Sequence, residues 1–223
     1  MVTTTRPSKA YKGLGMEGPI ARWYARNTGR MIDQYQKAAH DVAAELPDGS
    51  RVLEVAPGPG YFAIALAGLG SFHVVGLDIS HSFVEIAKEN ARRAGVSVEF
   101  RQGNASSMPF EDNAFDLIYC RAAFKNFADP VGALTEMHRV LRSGGTAVIS
   151  DLRRDASPGD IHTAVEEMHL GRINALVTRW IFKHSLLKRA YLPDDFRRMA
   201  TQTPFGSCAI KTEPIGMEVT FRK

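Results

Sequence analysis

The chain has 223 residues, a formal charge of +4 and 44% hydrophobic residues, enough for one α/β domain with a sizeable core. No apolar run approaches the ~20 residues of a membrane span, and Met1 to Arg6 carry no apolar signal region. Cys120 and Cys208 make neither a disulfide framework nor a metal set, so the expected setting is a reducing cytoplasm with no metal bound.

Charge is uneven along the chain. Residues 1–40 carry seven Lys/Arg against two acids, residues 41–150 nine against thirteen, and residues 151–223 twelve against nine. An acidic middle with basic flanks lacks the clustered Lys/Arg and interleaved aromatics of a nucleic-acid binder, so no nucleic-acid partner is expected. The flanks suggest contact with something anionic.

Residues 1–15 read as an arm without periodicity. A helical pattern runs from Ile20 to Leu46, with Trp23, Tyr24 and Met31 among basic residues, and Pro47-Asp48-Gly49-Ser50 ends it. Val52-Leu53-Glu54-Val55 is a short buried strand that breaks at Pro57-Gly58-Pro59-Gly60. Phe62, Ala63, Leu66 and Ala67 then follow at helical spacing. Strand, glycine turn and helix leave unpaired amides at a helix N-terminus, a natural seat for a nucleotide-like cofactor.

Phe72 to Leu77 forms a second strand ending in Asp78. Ser80 and Ser82 offer N-caps, and Ser82 to Glu85 has capping-box spacing ahead of a helix that stops at Gly95. Val96 to Gln102 is a third, more polar strand, followed by Gly103-Asn104-Ala105. Phe115 to Cys120 is the fourth. Asp129-Pro130 starts a helix whose stripe of Val131, Leu134, Met137, His138 and Leu141 is closed by Gly144-Gly145, and Thr146 to Ser150 is strand five.

Residues 157–190 form one long helical region, basic and rich in large apolar groups, with Trp180, Phe182, Leu186 and Leu187 expected to be exposed. Pro193-Asp194-Asp195 starts another helix, and residues 207–213 and 216–222 make a two-stranded antiparallel edge. The fold class is therefore α/β: a Rossmann-like, doubly wound, mostly parallel seven-stranded sheet with an antiparallel C-terminal edge and a helical insertion after strand five. Its parts are an N-terminal arm with lid helices (1–50), a cofactor-binding core (51–156), a helical cap (157–192), and a C-terminal helix and strand pair (193–223).

In such sheets ligands sit at the carboxyl ends of the strands, where the glycine turn, Asp78 and Asn104-Ala105 converge. Gly58, Gly60 and Ala63 also match Gly-x-Gly-x-x-Ala, with Asp78 twenty residues after Gly58, so this half alone does not separate a nicotinamide cofactor from an adenosyl one. Glu54 tips the balance: its carboxylate would repel a pyrophosphate and welcome an ammonium. The small, polar Asn104-Ala105 suits an adenine, and the chain lacks a second mononucleotide half.

The stretches VLEVAPGPGYFAIALA, VVGLDIS, GNASSMPFEDNAFDLIYC and EMHRVLRSGGTAVISDL resemble successive motifs of class I S-adenosylmethionine-dependent methyltransferases, closest to the branch of the ubiquinone/menaquinone biosynthesis enzymes. The resemblance covers about residues 50–152. It implies that Glu54, Gly58 and Gly60 surround the methionine part of S-adenosylmethionine, with Ala56 where the first glycine usually stands. It places Asp78 on the ribose, Ile79 beside the adenine, Asn104 (for the usual aspartate) and Ala105 at the adenine edge, and Cys120 and Arg121 beneath the sulfonium.

The activity expected is in-line methyl transfer to a small organic acceptor, anionic or aromatic in character. Candidate catalytic residues are Tyr24, Arg121 and Asp151, with Lys125, Asn126, Arg153 and Arg154 also near the mouth. The histidines His138, His162, His169 and His184 read as core, boundary or solvated residues. An RNA or protein methyltransferase is the alternative, disfavoured because Cys120-Arg121-Ala122-Ala123-Phe124 follows strand four in place of an Asn/Asp-Pro-Pro-aromatic motif. An NAD(P)-dependent oxidoreductase is a further one. Three roles stand for residues 157–190: a lid over the substrate, a homodimer surface, or a basic helix (Arg172, Arg179, Lys183, Lys188, Arg189) on a membrane surface. Position after strand five favours the lid. The Met16-Glu17 to Tyr24 segment is a second lid.

Overall fold

The computed structural model describes residues 11–12, 15–29, 32–168 and 171–223, with the side chains of residues 172, 173 and 183 excepted. The expectations for most of the N-terminal arm, Met31 and His169, and for the Arg172 and Lys183 side chains, lie outside the described residues.

Two helices, α1 (Gly18–Thr28) and α2 (Ile32–Ala43), precede an alternating core. It runs β1 (Arg51–Val55), α3 (Tyr61–Ala67), β2 (His73–Asp78), α4 (His81–Ala94), β3 (Glu99–Gln102), β4 (Phe115–Arg121), α5 (Pro130–Val140) and β5 (Leu141–Leu152). Then come α6 (Pro158–Glu167), α7 (Arg172–Ile181), a π-helical stretch Phe182–Leu186 and a single turn α8 (Leu187–Arg189). The chain ends with α9 (Pro193–Thr201), β6 (Ala209–Thr212) and β7 (Gly216–Arg222). One seven-stranded sheet has the order β3-β2-β1-β4-β5-β7-β6. The pairs among β1 to β5 are parallel, and β7 lies antiparallel between β5 and β6, as the sequence pattern led us to expect.

Strand alternation divides the core into two layers. Leu53, Val55, Ile118 and Cys120 face the layer that holds Leu134, Met137 and Phe196, whereas Val52, Leu117 and Tyr119 face Phe62, Leu66 and Val84. Chain order reverses at β1, between β2 and β4, so the ligand crevice of a doubly wound sheet opens there.

Several boundaries differ from the sequence reading. In place of the expected helix from Ile20 to Leu46 the described residues form two helices, Gly18–Thr28 and Ile32–Ala43, and the expected 157–190 helix is divided among Pro158–Glu167, Arg172–Ile181 and the elements that follow. Helix α5 ends at Val140, not at Gly144-Gly145: Leu141 is extended, fully buried and paired with Phe115. The glycines lie inside β5 instead. The cap of α4 is Ser80, whose Oγ accepts from the Phe83 amide, and not Ser82 with Glu85, which pairs with Lys88. Trp180 is 63% exposed, but Phe182 and Leu187 are buried against Ile161 and Val165, so the exposed apolar face of α7 is Leu176, Val177, Trp180 and Ile181.

Candidate active site

The glycine turn gets its shape from three left-handed residues and one ring. Ala56, Gly58 and Gly60 all have positive φ (58°, 55° and 80°). At Ala56 a Cβ in the left-handed region costs about 1–2 kcal/mol, a physical reason for the glycine that the resemblance implies there. A Cβ on Gly60 would lie 2.8 Å from the Phe100 ring and 3.0 Å from the Ala87 Cβ, whereas one on Gly58 would meet nothing within 4 Å. Gly60 is thus required by packing. Gly58 borders open space, a cradle that a side chain would fill.

Two buried carboxylates hold this turn. Glu54, 3% exposed, accepts from the Ala63 amide at the start of α3 (3.0 Å). Burial, reinforced by Asp78 and opposed by the Ala63 amide and Arg121, pushes its pKa up to about 8. Asp78, at the end of β2, accepts from the Gly58 and Ser80 amides, each at 2.9 Å, and burial raises it to about 6 against those bonds. Both are acids waiting for a donor or a cation.

Around them, Ile79 is 38% exposed and available to an aromatic ring, and Ala105 is half-buried after β3. The Asn104 Oδ1 already accepts from the Ser106 amide (3.0 Å) and hydroxyl (3.1 Å), so its NH2 group is the part left to a ligand. The Cys120 thiol is fully buried in the layer of Leu53 and Ile118, and burial keeps it neutral. Its side chain gives the crevice no reactive group. Arg121 alternates to the other layer and lies over the Tyr35 ring, 5.5 Å from its centroid.

Of the proton-transfer candidates, Asp151 is the most constrained. It forms a buried ion pair with Lys125 (Nζ to Oδ1, 2.7 Å), and its oxygens also accept from the Lys125 amide (2.9 Å) and the Leu152 amide (2.8 Å). The Lys125 ammonium further donates to the Ala122 carbonyl (2.5 Å). These three bonds, two on Oδ1 and one on Oδ2, make Asp151 a brace between the ends of β4 and β5. The Tyr24 hydroxyl is raised by burial and by Tyr11, Asp78 and Asp151, which keeps it a neutral donor. Arg153 pairs with Asp155 and Arg154 with Asp195. His138 packs edge-on against Phe205, away from the crevice, and His162 contacts Arg179 and Glu166. Among the described residues no group of three or more His, Cys, Asp or Glu could hold a metal.

Sequence reasoning named the Met16-Glu17 to Tyr24 segment as a second lid but missed the contacts that hold its start. The Glu17 carboxylate accepts from the His81 (2.9 Å) and Ser82 (3.0 Å) amides, capping α4 from another part of the chain. Ser80 Oγ donates to the Met16 carbonyl (2.5 Å), and the Gly18 amide donates to Ser82 Oγ (2.8 Å). This fastens residues 16–18 beside Asp78. Further back, the Lys12 amide donates to the Asn126 carbonyl (2.7 Å), and Tyr11 bridges to Phe127. The one available clue was an acid placed just before a glycine-proline helix start.

A family model described as a methyltransferase domain matches residues 53–149. A demethylmenaquinone methyltransferase from Deinococcus radiodurans is 33% identical over 175 residues, covering 75% of this chain and 72% of that protein. One from Thermus thermophilus is 36% identical over 117 residues, covering about half of each. A structure from Methanococcus maripaludis, described as a putative S-adenosyl-L-methionine-dependent methyltransferase, shares the fold with a TM-score of 0.77 at 22% identity over 97% of each chain.

Proposed function

We propose that this chain, which belongs to the class I S-adenosylmethionine-dependent methyltransferases, methylates a small organic acceptor that enters the crevice as an anion. The observation that carries the family's cofactor onto these residues is the open cradle at Gly58 between two buried carboxyl groups, both with raised pKa values. We read Glu54 as the partner of the ammonium, Asp78 as the acceptor of the ribose hydroxyls, Ile79 and Ala105 as the walls of the adenine, and Asn104 as a donor to it. Bound S-adenosylmethionine supplies a methyl carbon on a positively charged sulfur.

The chain's own contribution is placement. Collinear approach in a dry pocket is worth up to about 7–11 kcal/mol, without acid–base help. None of the three catalytic candidates is a free base: Asp151 is ion-paired with Lys125, Tyr24 is a neutral phenol, and Arg121 is a cation over Tyr35. An acceptor that arrives already ionised needs none. The demethylmenaquinone enzymes among the relatives support a ring hydroxyl or quinol-like carbon acid as that acceptor class. The experiment is a compound screen that reads release of S-adenosylhomocysteine. Turnover should rise with pH through the acceptor's own pKa, and a profile fixed by the protein for acceptors of different acidity would overturn the reading.

Residues 157–192 are read as the cap over that acceptor within the four-part division given above. The exposed Leu176, Val177, Trp180 and Ile181 favour a second copy of the chain as their cover, which sedimentation tests directly. Among the described residues no helix is long and apolar enough to cross a membrane. The unpaired Cys120 and Cys208 support a reducing cytoplasm.

A further inference from the structure

Outside the crevice, Arg154 and Lys188 line two hollows at once. The first, about 500 Å3, lies between the Lys12 segment, α8 and α9. Five cations line it (Lys12, Arg154, Lys188, Arg189 and Arg198) against a single carboxylate, Asp195. That carboxylate is spent. It pairs with Arg154 (3.0 Å) and with Arg198, and it accepts from the Leu192 amide (2.8 Å). Lys12, Lys188 and Arg189 find no carboxylate among the lining residues.

The second hollow, about 520 Å3, has the opposite character. Ala156, Pro158, Ile161 and Leu187 form its apolar walls, and Arg179 joins Arg154 and Lys188 at its rim. Each hollow is within the ~300–1,000 Å3 of small-molecule sites, and concave apolar walls with a few placed charges are how such sites discriminate. Like charges converge at a cost that an anion removes, and Arg and Lys together suit a phosphate or carboxylate.

We propose that the two hollows form one binding site for a soluble amphiphilic anion, with a phosphate or carboxylate among Lys12, Lys188 and Arg189 and its alkyl chain along Ala156, Pro158, Ile161 and Leu187. None of the residues assigned to the cofactor lines either hollow, although part of the lining belongs to the segment read as the cap, and the proposal does not depend on the methyltransferase reading. The site is joined to the turn after β4 by the Tyr11-Lys12 segment, which lines the first hollow at Lys12 and pairs with Asn126 and Phe127.

Calorimetric titration of the full chain with inorganic phosphate, ethyl phosphate and monomeric octyl phosphate tests this. Affinity should rise with chain length, by up to about fourfold per methylene buried, so octyl phosphate should bind at least about tenfold tighter than inorganic phosphate. Lys188→Glu and Arg189→Glu should each weaken octyl phosphate by about tenfold or more while S-adenosylhomocysteine binds as before. Affinity independent of chain length, or equal affinity for an octyl ammonium ion, overturns the proposal even if a variant fails to fold. Binding to phosphatidylglycerol vesicles without binding of monomeric octyl phosphate overturns it in favour of a membrane surface. Failure of the unaltered chain to bind S-adenosylhomocysteine would strike the methyltransferase reading alone.

Discussion

The Gly58 amide donates to the Asp78 Oδ2 at 2.9 Å, tying the apex of the glycine turn to the end of β2. One carboxylate therefore both shapes the turn and faces the crevice, and neighbouring glycines of the turn separate these two tasks.

Gly58→Ala and Gly60→Ala should differ in kind. Gly58→Ala adds a methyl group to open space at φ 55°, so stability should fall by only about 1 kcal/mol, while affinity for S-adenosylhomocysteine falls at least about tenfold. Gly60→Ala drives a methyl into Phe100 and Ala87 and should cost about 2–4 kcal/mol. Denaturant unfolding and calorimetry on both variants check this, and equal loss of stability would contradict it.

Stability of the ligand-free chain should decline as pH rises from about 5 to about 8. Glu54 and Asp78 have folded pKa values, about 8 and about 6, above their ordinary ones, so the folded state binds more protons in that window and unfolding gains on it as protons leave. Below it, Glu136 and Asp155, held low by Arg139 and Arg153, make stability fall again with acid. Glu54→Gln should flatten the neutral limb in thermal melts. Binding of S-adenosylhomocysteine near pH 7 should release protons from Glu54, seen as an enthalpy that varies with the buffer's heat of ionisation.

Lys125→Met leaves the Asp151 charge buried without its partner and should destabilise the fold by about 3–5 kcal/mol. Adding Asp151→Asn removes that charge while an amide oxygen still accepts from the backbone at 125 or 152, so the double variant should recover most of the loss. Equilibrium unfolding of the single and double variants decides. A double variant as unstable as Lys125→Met would refute the charge argument.

Glu17→Ala removes the distant cap of α4 and should cost about 1 kcal/mol. Because the same contact fastens residues 16–18 over Asp78, dissociation of S-adenosylhomocysteine should quicken about fivefold, the equivalent of that energy. Stopped-flow release measures it, and an unchanged rate would show that the segment does not retain the ligand.

The sheet was legible because its signals are local. Short apolar runs marked β1, β2 and β4, and Asp129-Pro130 marked α5, where Asp129 does accept from the Gly132 amide. What escaped depends on partners far apart in the chain. Ser80, not Ser82, caps α4 because Ser82 Oγ is engaged by Gly18 and the remaining amides go to Glu17. Asp151 looked like a free acid until Lys125, twenty-six residues earlier, was seen to neutralise it. Phe182 and Leu187 looked exposed because their cover, Ile161 and Val165, belongs to another helix.

Phe100 belongs to β3, at one edge of the sheet, yet its ring fills the hollow left by two residues without side chains, Gly60 and Gly76. The outermost parallel strand thereby acts as a wedge behind the cofactor turn. Loosening that edge, by trimming Phe100 or by fraying β3, should slacken the turn from behind, so the marginal strand and the catalytic crevice rise and fall as one mechanical unit.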